Sequence, residues 1–255
     1  MRMNAYLRNS LIIFLTFISF IFTIQIAYAN EITGESFSKY YSKVEFIDSE
    51  TIRITKNLTL KNNYDKSILP GQIEFRVGSG TLDSATSINL SNIKAVGENN
   101  RNISYTYREF EDYSSLILDV YYPLLSGFEY DFQLEYELKL ESGGIFFKNL
   151  QIPLKDSSIP IEEGTFEVIL PKNNYFTYAG ELDEYATING NRGIWDLQNN
   201  FPNTVEFEYS IIPIRTSWMR GSYLFWILIN VAMFMFLVYQ IRKEVIKVRN
   251  EELEE

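Results

Sequence analysis

The residues in this chain best suited to chemistry are carboxylates. Glu129, Asp131, Glu135 and Glu137 recur at alternate positions along one stretch. Paired carboxylates can chelate calcium or act as acid and base in glycoside hydrolysis. Same-face neighbours on a strand lie ~7 Å apart, too far for two of them to share one ion at bonds of about 2.3–2.6 Å without a loop. The spacing therefore predicts a solvated strand face that discourages edge-to-edge association. The chain has no histidine and no cysteine. The commonest general base and the commonest metal ligand are missing, which excludes Ser-His-Asp, Cys-His, zinc and haem chemistry in their usual forms. No catalytic, cofactor-binding or metal-ligating residue is assigned, and no cofactor is expected.

Three asparagines stand in acceptor sequons: Asn57-Leu58-Thr59, Asn89-Leu90-Ser91 and Asn102-Ile103-Ser104. Each alternates away from apolar neighbours, so each should face solvent and serve as a glycosylation site in a host that modifies exported proteins. The net charge of −10 argues against nucleic acid as a partner, because phosphate recognition needs basic patches.

The elements that position these residues read as strands. Ile52, Ile54, Leu58 and Leu60 alternate with polar residues, as do Ile73, Phe75 and Val77, and then Ile103, Tyr105 and Tyr107. The run Phe128 to Leu140 alternates without a break. The pattern lapses from Asn149 to Pro160, which predicts a linker or crossing loop. Strands resume with Phe166, Val168 and Leu170. A hairpin turn follows at Asn189 to Gly193, then Trp195, and Val205, Phe207, Tyr209 and Ile211 close the run. Most of the aromatics fall at core spacing. Tyr121-Tyr122 and the group Tyr175, Phe176 and Tyr178 fit a buried face less well; core packing is the simpler reading, a partner patch the other.

Two apolar segments bracket these strands. The first follows Arg2 and Arg8 and ends at Ala27-Tyr28-Ala29, the form of a signal peptide cleaved after Ala29. An uncleaved anchor is the alternative, because the run nearly reaches spanning length. The second, Ser222 to Ile241, carries no charge and at about 20 residues matches a hydrocarbon core of ~30 Å. Trp218, Tyr223, Trp226 and Tyr239 sit where interfacial aromatics belong, and Arg242, Lys243, Lys247 and Arg249 follow directly. These signs place the β region outside and the tail inside. Asn230, near the middle of the helix, is the candidate for pairing with another membrane helix.

The expected organisation is a signal peptide at 1–29, an extracytoplasmic β-sandwich domain at 30–150, a second membrane-proximal β unit at 151–217, a transmembrane helix at 218–241 and a cytoplasmic tail at 242–255. The fold class is an all-β ectodomain of two sandwich-like units plus one C-terminal transmembrane helix. An exported domain without cysteine leans toward a prokaryotic cell surface. The stretch VEFIDSETIRITKNLTLKNN with the following IEFRV resembles the opening of ectodomains in archaeal single-pass surface proteins. The stretch TFEVILPKNNYFTYAGELDEYATINGNRGIWDLQNNFPNTVEFEY resembles their later sandwich module, and the general plan is similar to that of the ribophorin I family of oligosaccharyltransferase accessory subunits. The resemblance implies two β modules on one membrane helix and an accessory role, and it transfers no functional residue.

These readings point to a non-enzymatic single-pass protein of the cell membrane. Its β domains would bind a partner or serve as an accessory subunit of an envelope complex. The expected partners are the lipid bilayer and another membrane or surface protein, with glycans as a further class of ligand. A glycan-binding adhesin or envelope-anchoring module is the alternative function, and a carboxylate-dependent ectohydrolase a third.

Overall fold

The structure is a computed structural model that describes residues 34–78, 89–111, 113–139, 146–153, 156–198, 204–216 and 218–251. The segment read from sequence as a signal peptide, with Ala27 and Ala29, lies outside the described residues, as do residues 252–255.

Strands come first wherever apolar and polar residues alternate. In chain order they are β1 (Glu35–Phe46), β2 (Thr51–Asn62), β3 (Gly71–Gly78), β4 (Leu90–Gly97), β5 (Tyr105–Glu109), β6 (Tyr113–Val120), β7 (Glu129–Lys139), β8 (Phe147–Pro153), β9 (Glu163–Ile169), β10 (Tyr175–Tyr178), β11 (Ala186–Asn189), β12 (Arg192–Gln198) and β13 (Thr204–Ser210). One long helix, α1 (Gly221–Glu251), ends the described chain. The β11–β12 hairpin pairs Asn189 with Arg192 and turns through Gly190 at φ +62, a conformation open to glycine.

The architecture is two sandwich-like halves built on one sheet. That sheet has seven strands in the order β11-β12-β9-β1-β2-β7-β4, with β1 and β9 parallel and the other pairs antiparallel. Two three-stranded sheets, β3-β6-β5 and β10-β13-β8, complete the fold. Phe37 of β1 stacks on Phe75 of β3, and Trp195 of β12 packs against Phe176 of β10 and Phe207 of β13. The small sheets thus pack on different parts of the large one, and all the buried apolar residues form a single cluster. The boundary expected between residues 150 and 151 falls inside β8. The second stretch also contributes β9, β12 and β11 to the sheet begun by the first. The reason is the parallel β1–β9 pair, which carries the chain across the fold after β8.

That crossing brings a charge into the core. Lys56 of β2 is 1% exposed and sits among the inward-facing residues of its strand. Its ammonium donates to the Tyr40 hydroxyl at 2.7 Å and to Asp156 Oδ2 in the crossing loop. The Tyr40 hydroxyl donates in turn to Asp156 Oδ1 at 2.7 Å. The backbone N–H of Arg76 in β3 donates to the Asp156 carbonyl at 2.7 Å and pins the loop to the small sheet. Burial pulls Lys56 below the usual lysine range against the pull of Asp156. Burial, and then the Asp156 charge, hold Tyr40 and Tyr136 well above the usual tyrosine range.

Several residues depart from the simple alternation. Phe128 precedes β7 in a turn through Gly127 and is exposed. Tyr105 lies on the outer strand of its sheet and is exposed, as is Ile211, which falls just beyond β13. Tyr121 and Tyr122 are exposed too; of the other aromatic group, Phe176 is buried and Tyr175 exposed.

Removing one member of the buried network should be far worse than removing its charge as a whole. Lys56→Ala strands the Asp156 carboxylate in the core and is expected to cost about 3–5 kcal/mol, whereas the pair Lys56→Met with Asp156→Leu should recover most of that loss. Chemical denaturation of the two variants, followed by Trp195 fluorescence, measures both.

Candidate functional site at the joint between the β domain and the apolar helix

β13 ends at Ser210 and α1 starts at Gly221, so the connection between them is short. The structure makes it a braced joint. Alternation turns Val205, Phe207 and Tyr209 toward the core, which leaves Glu208 on the opposite face of β13. Glu208 is nonetheless buried, because the start of α1 comes back to cover it. Its Oε1 accepts from the Thr177 hydroxyl at 2.6 Å and from the Ser222 backbone N–H at 3.1 Å. Its Oε2 accepts from the Ser222 hydroxyl. A carboxylate thereby meets the first turn of the helix, where orphan N–H groups and the helix dipole favour negative charge.

Contacts around this cap reinforce it. Arg220 donates to Glu206, and Arg215 pairs with Asp183 at 2.8 Å. Phe225, one turn into α1, packs on Phe147 at the start of β8 and on Phe146 before it, with ring centroids 5.5 and 6.5 Å apart. A methyl group on Gly221 would stand 2.7 Å from both the Ile214 carbonyl oxygen and the Thr177 Cβ. Only glycine permits that closeness between helix and sheet.

From Gly221 to Ile246 the helix is long and apolar enough to cross a membrane, and none of its most apolar stretch is buried by the protein. Trp218 precedes it, and Trp218, Tyr223, Trp226 and Tyr239 are all exposed. Asn230 is exposed, and its side-chain N–H donates to the Trp226 carbonyl at 2.7 Å, one turn back in its own helix. Its side-chain oxygen is not used in that bond.

A second feature lies on the outer face of the seven-stranded sheet. A groove of about 490 Å³ is lined by Tyr41 of β1, Asn57 of β2, Glu129, Asp131 and Gln133 of β7, and the 3-10 turn at Glu98–Asn100. The acidic row seen in the sequence therefore divides. Glu129 and Asp131 are exposed, and Asp131 accepts from Thr59 at 2.6 Å. Glu137 is instead buried, because Arg53 and Asn92 both donate to it. Those donors, Arg53 and then Asn92, also hold its carboxyl below the usual range. Beside the groove, Tyr41 donates to Glu167, which also accepts from Arg192 at 2.6 Å. Burial pushes Glu167 up, but Arg192 and Tyr41 outweigh it and leave it lowered. Burial, then the hydrogen bond to Glu167, pushes Tyr41 up to about 12.

The sequon residues Asn57, Asn89 and Asn102 are all exposed, Asn57 within the groove. Among the described residues, no three acids come together as a metal site. The buried network of Lys56, Asp156 and Tyr40 and the cap at Glu208 were not singled out from sequence. Lys56 carried a signal, being the one charged residue in phase with Ile52, Ile54, Leu58 and Leu60.

No family model matches the chain, and no curated protein does. Solved structures with partial likeness include a candidate nutrient binding protein from Legionella pneumophila, at 13% identity and a TM-score of 0.47 over 70% of this chain and 67% of that one. Another is an M1 zinc metallopeptidase from Deinococcus radiodurans, at 12% identity and a TM-score of 0.40. The match covers 70% of this chain but only 42% of the peptidase. Likeness this distant carries no function across.

Two outcomes test this geometry. Gly221→Ala should force the helix off the sheet, and Glu208→Ala should leave Thr177 and Ser222 without their acceptor at a cost of about 1–3 kcal/mol. Both should speed amide hydrogen exchange at Ser222 to Leu224 while leaving the β1–β2 pair protected. At the groove, folded Tyr41 keeps its proton after the unfolded chain has lost it. Its contribution is complete below about pH 10 and is lost as pH rises toward about 12. Wild-type stability should therefore fall more steeply than that of Tyr41→Phe across that window in parallel unfolding titrations.

Proposed function

We propose that this chain is a non-enzymatic single-pass membrane protein whose β domain stands outside the cell. Its tail, 242–255, lies in the cytoplasm, and the protein works as a partner-binding or accessory subunit beside another membrane protein. The braced joint is the observation that carries this reading. A domain needing only a tether gains nothing from a buried carboxylate closed over the first turn of its anchor. A domain that must present a surface at fixed height and angle to a neighbour in the same membrane gains a defined orientation.

Other features support it. Beyond its first turn, the apolar stretch of the helix has no cover from the described residues, and Asn230 offers an amide oxygen near the middle of that stretch for a second helix. Arg242 and Lys243 follow the apolar run on the side assigned to the cytoplasm. Among the described residues the buried acids are already committed: Asp156 to Lys56 and Tyr40, Glu137 to Arg53 and Asn92, Glu167 to Arg192 and Tyr41, and Glu208 to the helix start. None of them is left to serve as a free general acid or base.

Glycan recognition is the second reading, favoured by the groove. Its lining of Tyr41, Asn57, Asn100, Asp131 and Gln133 offers hydroxyl, amide and carboxylate groups suited to sugar hydroxyls. Asp131→Ala together with Gln133→Ala should then abolish binding on a glycan array probed with the detergent-solubilised full chain.

The main reading is tested by mild crosslinking in the native membrane followed by isolation of the tagged full-length chain. A membrane protein should co-isolate in fixed ratio, and Asn230→Leu should reduce its recovery severalfold. A chain recovered only as a monomer would overturn the accessory-subunit reading.

A further inference from the structure

The depth of the membrane surface can be placed against the joint. Arg242 is the first charge after the apolar run. Counting about 30 Å back from it at 1.5 Å per residue, for a helix close to upright, reaches the neighbourhood of Ser222. Phe225 then lies inside the apolar layer. Phe146 and Phe147 touch Phe225, so the start of β8 sits at the same depth.

The end of the β domain nearest to the helix has a surface suited to that depth. The last row of the small sheet pairs Tyr175 with Ser210 and Ser210 with Phe147. The Ser210 hydroxyl donates to the Phe146 carbonyl at 2.6 Å and fixes Phe146 beside the row. Just beyond it, Phe146 is 54% exposed, Ile211 61% and Trp218 73%. The β1–β2 hairpin reaches the same end, because Phe46 packs on Tyr209 at 5.4 Å, and it adds an exposed Ile47. Exposed side chains of this size, clustered about a helix that enters a membrane, mark an interaction surface. Of the charges beside the joint, Arg220 pairs with Glu206 and Arg215 with Asp183, while Asp48 and Glu50 next to Ile47 are exposed to solvent.

We propose that this rim, formed by Ile47, Phe146, Tyr175, Ile211 and Trp218, is seated in the interfacial layer of the bilayer, so that the β domain lies on the lipid surface. Tyr175 and Trp218 occupy the headgroup level, where an apolar ring with a polar tip is at home. Phe146 and Ile211 reach the acyl boundary. Glu208 is thereby placed at the edge of the apolar layer, where its three hydrogen bonds replace water. The inference rests on the reading of α1 as a membrane span.

The chain has no cysteine of its own, so single-cysteine variants accept a nitroxide label at one place only. The full-length protein carrying Phe146→Cys, Ile211→Cys, Leu125→Cys or Val231→Cys is labelled and reconstituted alone in nanodiscs of phosphatidylcholine and phosphatidylglycerol. Power-saturation measurements then compare collisions with dissolved oxygen and with an aqueous nickel complex. Labels at 146 and 211 should favour oxygen severalfold over the label at 125, which sits in an exposed loop at the other end of the sandwich. The seating is overturned if 146 and 211 match the aqueous profile of 125. It is also overturned if both are shielded from oxygen and nickel alike, as a second protein copy over the rim would make them. The label at 231 separates the two readings: an aqueous profile there defeats the membrane span itself.

Discussion

Strand β1 has a neighbour on each edge, β2 on one and β9 on the other, and the rest of the structure depends on how that is satisfied. A buried strand must pair its backbone groups on both sides. Here the second partner comes from more than a hundred residues away and runs parallel. A parallel partner cannot be reached by a hairpin, so the chain must cross the fold between β8 and β9. That crossing merges what would be two small sandwiches into halves of one sheet. Each three-stranded sheet buries its inner face against a different part of the large one.

The crossing loop also explains the charge in the core. A loop that passes through an interior brings polar backbone with it, and each group needs a partner. Asp156 answers this with its carbonyl on the Arg76 N–H and its carboxylate on Lys56 and Tyr40. Such a network adds little net stability over an apolar packing of equal volume, since desolvating two ions offsets most of their attraction. What it adds is selectivity. Any other seating of the loop leaves Lys56 or Asp156 buried without its counter-charge, so the crossing has one low-energy position. The Glu208 cap follows the same logic at the other end of the chain, where the carboxylate accepts the start of α1 in only one register.

Alternation made the strands legible in the sequence, together with the inward face of most of them. Val205, Phe207 and Tyr209, or Tyr130, Phe132 and Leu134, are buried as their spacing predicts. The apolar helix was legible from length and composition. Alternation says which face a residue is on, but not what covers that face. Glu208 reads as a solvent-facing acid until α1 folds back over it, and Glu137 does so until Arg53 and Asn92 close on it. Conversely, Ile211 and Phe128 keep the rhythm of a core yet fall just outside their strands and are exposed. Asp156 was hidden in a polar stretch that looked like a linker, because its partner Lys56 is 100 residues away in sequence.

The bracing at the joint has a consequence for motion. A free linker lets a domain sample many heights and tilts above a membrane, and a partner that binds one of them must then select it. In this chain the link is short, glycine-tight at Gly221 and closed by a buried carboxylate, so the β domain and the helix turn together. The hydrogen bonds that Glu208 accepts from Thr177 and Ser222 thus set the angle at which the first turn of α1 leaves the sheet.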